Sequence, residues 1–209
     1  MASIPHEAVV TNADGSLSKT YDHVVPQCSI EAVLVKVHSI ALNPSDYKFA
    51  KLVKQDGLVS GCDFSGEVIQ VGERANALLQ DSRRPWEVGD RVCGAVLGAN
   101  PSKPTCGAFA KFIEADPLVL VRIPAEWNWN AGAAVGGSCI GAVGMALFQE
   151  LRLSLDDLRE ASISSNMPQK IPSSIQRAPT LEREDLKRLV LVHGGSTASG
   201  TIAIQILRL

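Results

Sequence analysis

The chain has 209 residues, of which 45% are apolar and 20% charged, the proportions of an ordinary soluble globular protein. A formal net charge of -2 leaves no electrostatic footprint for nucleic acid or an anionic membrane surface. No apolar run is long enough to span a bilayer, and the stretch from Ala131 to Leu147 is interrupted by five glycines.

The amino terminus, MASIPHEAVV, lacks a basic region followed by an apolar one, so it does not read as a signal peptide. A cytoplasmic protein is the expectation. Cys28, Cys62, Cys93, Cys106 and Cys139 are irregularly spaced and form neither a C-x-x-C pair nor a disulfide framework. Most of them read as small buried hydrophobes.

In chain order, the first part reads as short strands between turn signals, the pattern of an all-β unit. Glu31 to Ile40 alternates, with Val33, Val35 and Val37 on one side and Leu34, Lys36 and His38 on the other. Asn43-Pro44-Ser45-Asp46 carries turn chemistry. Gly66 to Val71 is a second predicted strand, closed by Gly72, and Gly89-Asp90 turns into the strand Arg91-Val92-Cys93. Gly107 opens a strand from Ala108 to Ile113, and Leu118 to Ile123 is another, stopped by Pro124. Short strands with glycine at the corners suggest a small barrel.

The pattern changes from Asn130. Val135, Cys139, Val143 and Leu147 recur at helical spacing, with no charge before Glu150, which predicts a buried helix with small faces. Residues 154–188 are polar and rich in Pro and Ser, as in a connection between domains. Leu189-Val190-Leu191-Val192 then suits a buried parallel strand. It runs into Gly194-Gly195-Ser196-Thr197-Ala198-Ser199-Gly200 and a helical segment beginning at Thr201. Strand, glycine-rich turn and helix form the opening unit of a dinucleotide-binding fold. Such a turn offers backbone N–H groups to a pyrophosphate without side chains in the way. The spacing is not G-x-G-x-x-G, and a Gly/Ser-rich connection is the alternative. The residue that sorts NAD from NADP is expected about 20 residues beyond the turn.

Taken in order, AVLVKVHSIALNPSDYK, GCDFSGEVIQVG, WEVGDRVCG, GAFAKFIEAD and VLVHGGSTASGTIAIQILRL resemble the zinc-free, quinone oxidoreductase branch of the medium-chain dehydrogenase/reductases. LNPSDYK and GGSTASGT are most similar to the trans-acting enoyl reductases that serve fungal polyketide synthases. The resemblance implies a GroES-like β-barrel domain (1–130), a buried interdomain helix (131–153), a polar linker (154–188) and the first βα unit of an α/β Rossmann domain (189–209). It further implies NADPH as cofactor, a monomer, and a polyketide or hybrid synthase presenting a carrier-bound enoyl thioester. The implied function is NADPH-dependent enoyl reduction in secondary metabolite biosynthesis. The alternatives are an NADPH:quinone oxidoreductase or a non-catalytic fragment that docks on a synthase.

By the same resemblance, Ser45, Asp46, Tyr47 and Lys48 touch the cofactor from the barrel side, and Ser196, Thr197, Ala198 and Ser199 form its pyrophosphate turn. Val143, Gly144, Met145, Ala146, Leu147, Phe148, Gln149 and Glu150 line the substrate tunnel. Lys48 is the catalytic candidate, a fixed cation beside the cofactor or the developing enolate; most lysines in such a place are simply solvated. Zinc-dependent relatives carry Gly-His-Glu where this chain has Gly61-Cys62-Asp63, and the histidines at 6, 23, 38 and 193 show no ligand spacing. No metal site is expected. Ala142 stands where relatives often have a hydroxyl residue. A Rossmann domain needs several βα units. The chain is therefore expected to be truncated, and to bind NADPH weakly or not at all when taken alone.

Overall fold

The structure, a computed structural model, describes residues 6–79, 84–154 and 190–208. The chain divides into two compact units, Met1–Ser138 and Cys139–Leu209.

The first unit is built on an antiparallel sheet of five strands: β3 (Val33–Ala41), β4 (Asp63–Val71), β5 (Arg91–Ala95), β6 (Phe112–Ala115) and β7 (Val121–Arg122). Their spatial order is β6-β3-β4-β5-β7. Ahead of them, β1 (Ala8–Thr11) and β2 (Leu17–Thr20) form a hairpin, turned by Asp14-Gly15. β1 extends the wrap through single bridges from Ala8 to Ala110 and from Val10 to Val59. Register shifts between Leu34 and Val35, and between Val37 and Ser39, bend β3 along β4. The curved sheet encloses Val33, Val35, Phe64, Val68, Val92 and Ile113, all fully buried. Each such side chain contributes about 1.5–3 kcal/mol by leaving water.

The predicted strands appear with shifted ends. β4 begins at Asp63 because it pairs with β5 as far as the Asp63–Ala95 match. The strand predicted from Ala108 to Ile113 is regular only over Phe112–Ala115. Leu118 to Ile123 is cut to Val121–Arg122, because the Asp116 side chain accepts from the Leu118 N–H and turns the chain there.

Asn43-Pro44-Ser45-Asp46 is the start of a helix rather than a free turn. α1 spans Pro44–Val53, with Asn43 as N-cap and proline at its first position. Asp46 is the third helical residue and its carboxylate accepts from the Asn43 N–H, a capping-box half that the N-x-x-D spacing carries.

The single buried helix expected over 131–153 is not observed. α2 (Trp129–Val135) and α3 (Ser138–Gly144) are separated at Gly136-Gly137, and a π-helical turn follows over Met145–Glu150. A Cβ at Gly137 would lie 2.4 Å from that of Ala95, so glycine is required for the chain to approach β5, and the helix breaks there. In the π-helical turn Leu147 alone is buried; Met145, Ala146, Phe148, Gln149 and Glu150 are exposed.

In the second unit, α4 spans Ala198–Ile206, beginning three residues before the expected Thr201 because the Thr197 side chain caps it by accepting from the Gly200 N–H. Of the strand expected before it, three residues are described. Leu189 lies outside the described residues, and Val190, Leu191 and Val192 join no ladder, with Leu191 93% exposed. A parallel strand takes all its backbone hydrogen bonds from neighbouring strands, and none is present in this unit among the described residues. Of the linker expected over 154–188, all but Ser154 lies outside the described residues. Among those described, no single helix is long and apolar enough to cross a membrane.

Candidate functional site

The first group of candidate residues sits at the amino end of α1. Only Asp46 and Ala50 of this helix are buried, one turn apart, so α1 packs along a narrow stripe, with the Asp46 carbonyl accepting from the Ser60 hydroxyl and Gly15 close against Ala50 and Lys51. Tyr47 and Lys48 fall on the open side; Tyr47 is 48% exposed and its ring takes the Lys51 ammonium at 5.4 Å. Lys48 is exposed and has no ion-pair partner among the described residues. Ser45 is half-buried.

Asp46 points the other way, into the protein. One carboxylate oxygen accepts from the Asn43 N–H at 2.7 Å, while Oδ1 is buried without a hydrogen bond. Burial is the main cause that raises its carboxyl above the ordinary aspartate range, and the nearby Asp63 charge acts in the same direction. Burial likewise raises the Cys62 thiol, with Asp46 and Asp63 adding to the effect. The Cys93 thiol, deeper in the sheet, is pushed up to about 11 by burial. Asp46 is thus a helix-start residue in this arrangement, and Tyr47 and Lys48 are the side chains available to a molecule approaching α1.

Asp63, the first residue of β4, completes this corner. Its Oδ2 accepts from the Asn43 side-chain amide at 2.8 Å, and its Oδ1 from the Ser138 N–H at 2.9 Å. It is 2% exposed. Neither Asn43, Asp63 nor Ser138 stands out as a site residue in the sequence, because their connection spans 20 and 75 positions. Among the described residues no group of three or more His, Cys, Asp and Glu side chains could hold a metal ion.

The second group is the glycine-rich turn. Thr197 caps α4: its hydroxyl donates to the Gly194 carbonyl at 2.8 Å and accepts from the Gly200 N–H at 3.1 Å. Thr201 adds hydrogen bonds to the Thr197 and Gly195 carbonyls. A Cβ at Gly200 would meet the Gly194 oxygen at 2.2 Å, so the loop closes on the helix only with glycine there. The N–H groups of Ala198 and Ser199 belong to the first helical turn, which has no intrahelical partners for them. Ser196, Thr197 and Ala198 are exposed, and Ser199 is half-buried. The turn therefore presents unpaired backbone donors, two serine hydroxyls and the positive end of a helix dipole.

The third group, Val143 to Glu150, comprises the end of α3 and the π-helical turn. Val143 and Leu147 are buried four residues apart, leaving Met145 and Phe148 as its exposed apolar side chains. The α1 corner and the glycine turn lie in different units, each self-consistent in its local geometry.

Part of the first unit matches a known domain. Residues 29–125 match the alcohol dehydrogenase GroES-like domain. The trans-enoyl reductase ucsL of Acremonium sp is 43% identical over 205 residues, covering 97% of this chain and 51% of that protein. An alcohol dehydrogenase superfamily protein from Novosphingobium aromaticivorans superposes with a TM-score of 0.66 at 22% identity, over 97% of this chain and 50% of that one. A mycobacterial protein solved as its NADPH complex superposes with a TM-score of 0.53 at 22% identity, over 71% of this chain and 41% of that one. The chain spans about half the length of the curated relatives it matches. Residues 29–125 thus carry the GroES-like domain of alcohol dehydrogenases, and over 97% of its length the chain is similar to trans-enoyl reductases.

Proposed function

We propose that this chain contributes to an NADPH-dependent enoyl reductase acting in trans on an α,β-unsaturated thioester presented by a polyketide or hybrid synthase. The observation that carries the cofactor half of this reading is the capped turn before α4. Thr197 ties the loop to the helix, leaving the Ala198 and Ser199 N–H groups and the Ser196 and Ser199 hydroxyls free to meet a pyrophosphate. The substrate half is supported by the likeness to the trans-enoyl reductase of Acremonium sp.

NADPH, when bound, supplies the hydride. The protein's task is to orient the acceptor and to stabilise the negative charge that builds on the thioester oxygen. Lys48, exposed and without an ion-pair partner among the described residues, is the cation suited to that task, and Tyr47 beside it offers a flat apolar face for the cofactor or substrate. Met145 and Phe148 supply apolar surface for an acyl chain. A cytoplasmic setting fits the five cysteines, all of them free thiols.

The test compares acceptors. The protein purified from its native host, supplied with NADPH, is offered a carrier-bound enoyl thioester and a quinone in parallel. Faster NADPH oxidation with the thioester supports the reading. A preference for the quinone would replace it with a general quinone reductase.

A further inference from the structure

We propose that Asp63 is a positioning residue for the cofactor-facing end of α1, holding Ser45, Tyr47 and Lys48 in place through Asn43; the inference rests on the cofactor reading above. Three segments meet on this one carboxylate. It begins β4, accepts from the Asn43 side-chain amide at 2.8 Å, and accepts from the Ser138 N–H at 2.9 Å. The anchor is rigid: Asp63 is 2% exposed and sits at the matched Ala41–Asp63–Ala95 row of the sheet.

Asn43 is the other half of the device. Its side chain is spent on Asp63, while its backbone N–H goes to Asp46 at 2.7 Å. One residue thereby links a fixed carboxylate on the sheet to the first turn of α1. Elsewhere the helix is held by the Ser60 hydroxyl on the Asp46 carbonyl and by close packing of Gly15 on Ala50 and Lys51, so Asn43 is the link that fixes its first turn to the sheet. A carboxylate can accept from both Asn43 and Ser138 at once, whereas a carboxamide offers one oxygen and one NH2 group that cannot accept. Asp63→Asn therefore breaks one of the two links without changing side-chain volume.

The experiment compares wild type, Asp63→Asn and Asn43→Ala, with Asp90→Asn as a control that disturbs ion pairs at the other end of β5. Two readouts are taken on the protein from its native host. Amide hydrogen exchange follows residues 43–48, and steady-state kinetics follow KM for NADPH against kcat. Asp63→Asn and Asn43→Ala should each speed exchange over residues 43–48 at least fivefold and raise KM for NADPH with a much smaller change in kcat. The double variant should be no worse than either single one, and Asp90→Asn should do neither. Exchange over 43–48 unchanged in Asp63→Asn, or equally faster in the control, overturns the positioning role. Faster exchange with an unchanged KM keeps the tether but removes α1 from the cofactor site, which overturns the functional half of the proposal. Failure of the wild-type protein to use NADPH at all is a separate result, which overturns the cofactor reading while exchange still judges the tether.

Discussion

The imidazole of His38 stacks on the indole of Trp129, with ring centroids 4.4 Å apart and planes 7° from parallel. The Arg91 guanidinium covers Trp129 at 4.3 Å, and its own N–H groups reach the Trp127 and Ala125 carbonyls. β3, β5 and the start of α2 are thus joined through one aromatic ring. An aromatic stack contributes about 0.5–1.5 kcal/mol and a partly exposed cation–π contact about 0.5–1 kcal/mol. Trp129→Leu should therefore lower unfolding free energy by roughly 1–2.5 kcal/mol, read as a shift in the urea midpoint at unchanged slope. No shift in the midpoint would mean that α2 is held by other contacts.

The buried carboxyl of Asp46 gives stability a pH slope. Burial first, and then the Asp63 charge, raise it above its ordinary value of 3.8. The folded state then binds this proton more tightly than the unfolded one. Stability from this group is present at low pH and declines as pH rises from the ordinary value through the raised one. Asp46→Asn keeps an oxygen for the Asn43 N–H and removes the titration. Urea midpoints between about pH 4 and pH 7 should fall more steeply for wild type than for Asp46→Asn. Parallel profiles would show that Asp46 is not the source.

Thr197 closes the glycine turn on α4 through one hydroxyl that both donates and accepts. Loss of an N-cap hydroxyl costs about 1 kcal/mol. Thr197→Ala should speed amide exchange at Gly200 about fivefold, the equivalent of that free energy, while Thr197→Ser should restore protection. Equal exchange in the alanine and serine variants would show that the cap does not hold the turn.

Much of the sheet is legible from side-chain pattern alone. Val33, Val35 and Val37 alternate as strand residues should, and β5 follows the Gly89-Asp90 turn as expected. What is less legible depends on long-range contacts. The Asp14-Gly15 hairpin turn carried a local signal for β1 and β2, yet their place is fixed by bridges to Ala110 and Val59 far along the chain. α1 also had its signal, Asn43 with Pro44 and Asp46 following, but those residues serve a free turn equally well. The apolar run Leu189–Val192 had the composition of a buried strand, and composition cannot supply the neighbours that a parallel strand needs. In the candidate site, the Thr197 turn was visible because its residues are contiguous. Asp63 was not, because its role comes from Asn43 and Ser138, which chain folding brings to it.

Lys48 and Lys51 lie one turn apart on α1, and Lys51 already faces the Tyr47 ring. If Lys48 stabilises the developing charge, Lys48→Met should lower kcat for enoyl thioester reduction by about 10²-fold, the scale of losing one such stabilising group. Lys51→Met should leave kcat near wild type. Equal effects of the two substitutions would indicate a general electrostatic contribution rather than a placed cation.

The most direct test of the central claim follows the hydride itself. The protein from its native host is incubated with NADPH deuterated on the transferable position and a carrier-bound α,β-unsaturated thioester, and the product is examined by mass spectrometry and NMR. The account predicts one deuterium at the β-carbon and a solvent-derived proton at the α-carbon of a saturated thioester. NADPH oxidation without deuterium in the acyl product, or recovery of the unsaturated thioester unchanged, would contradict it.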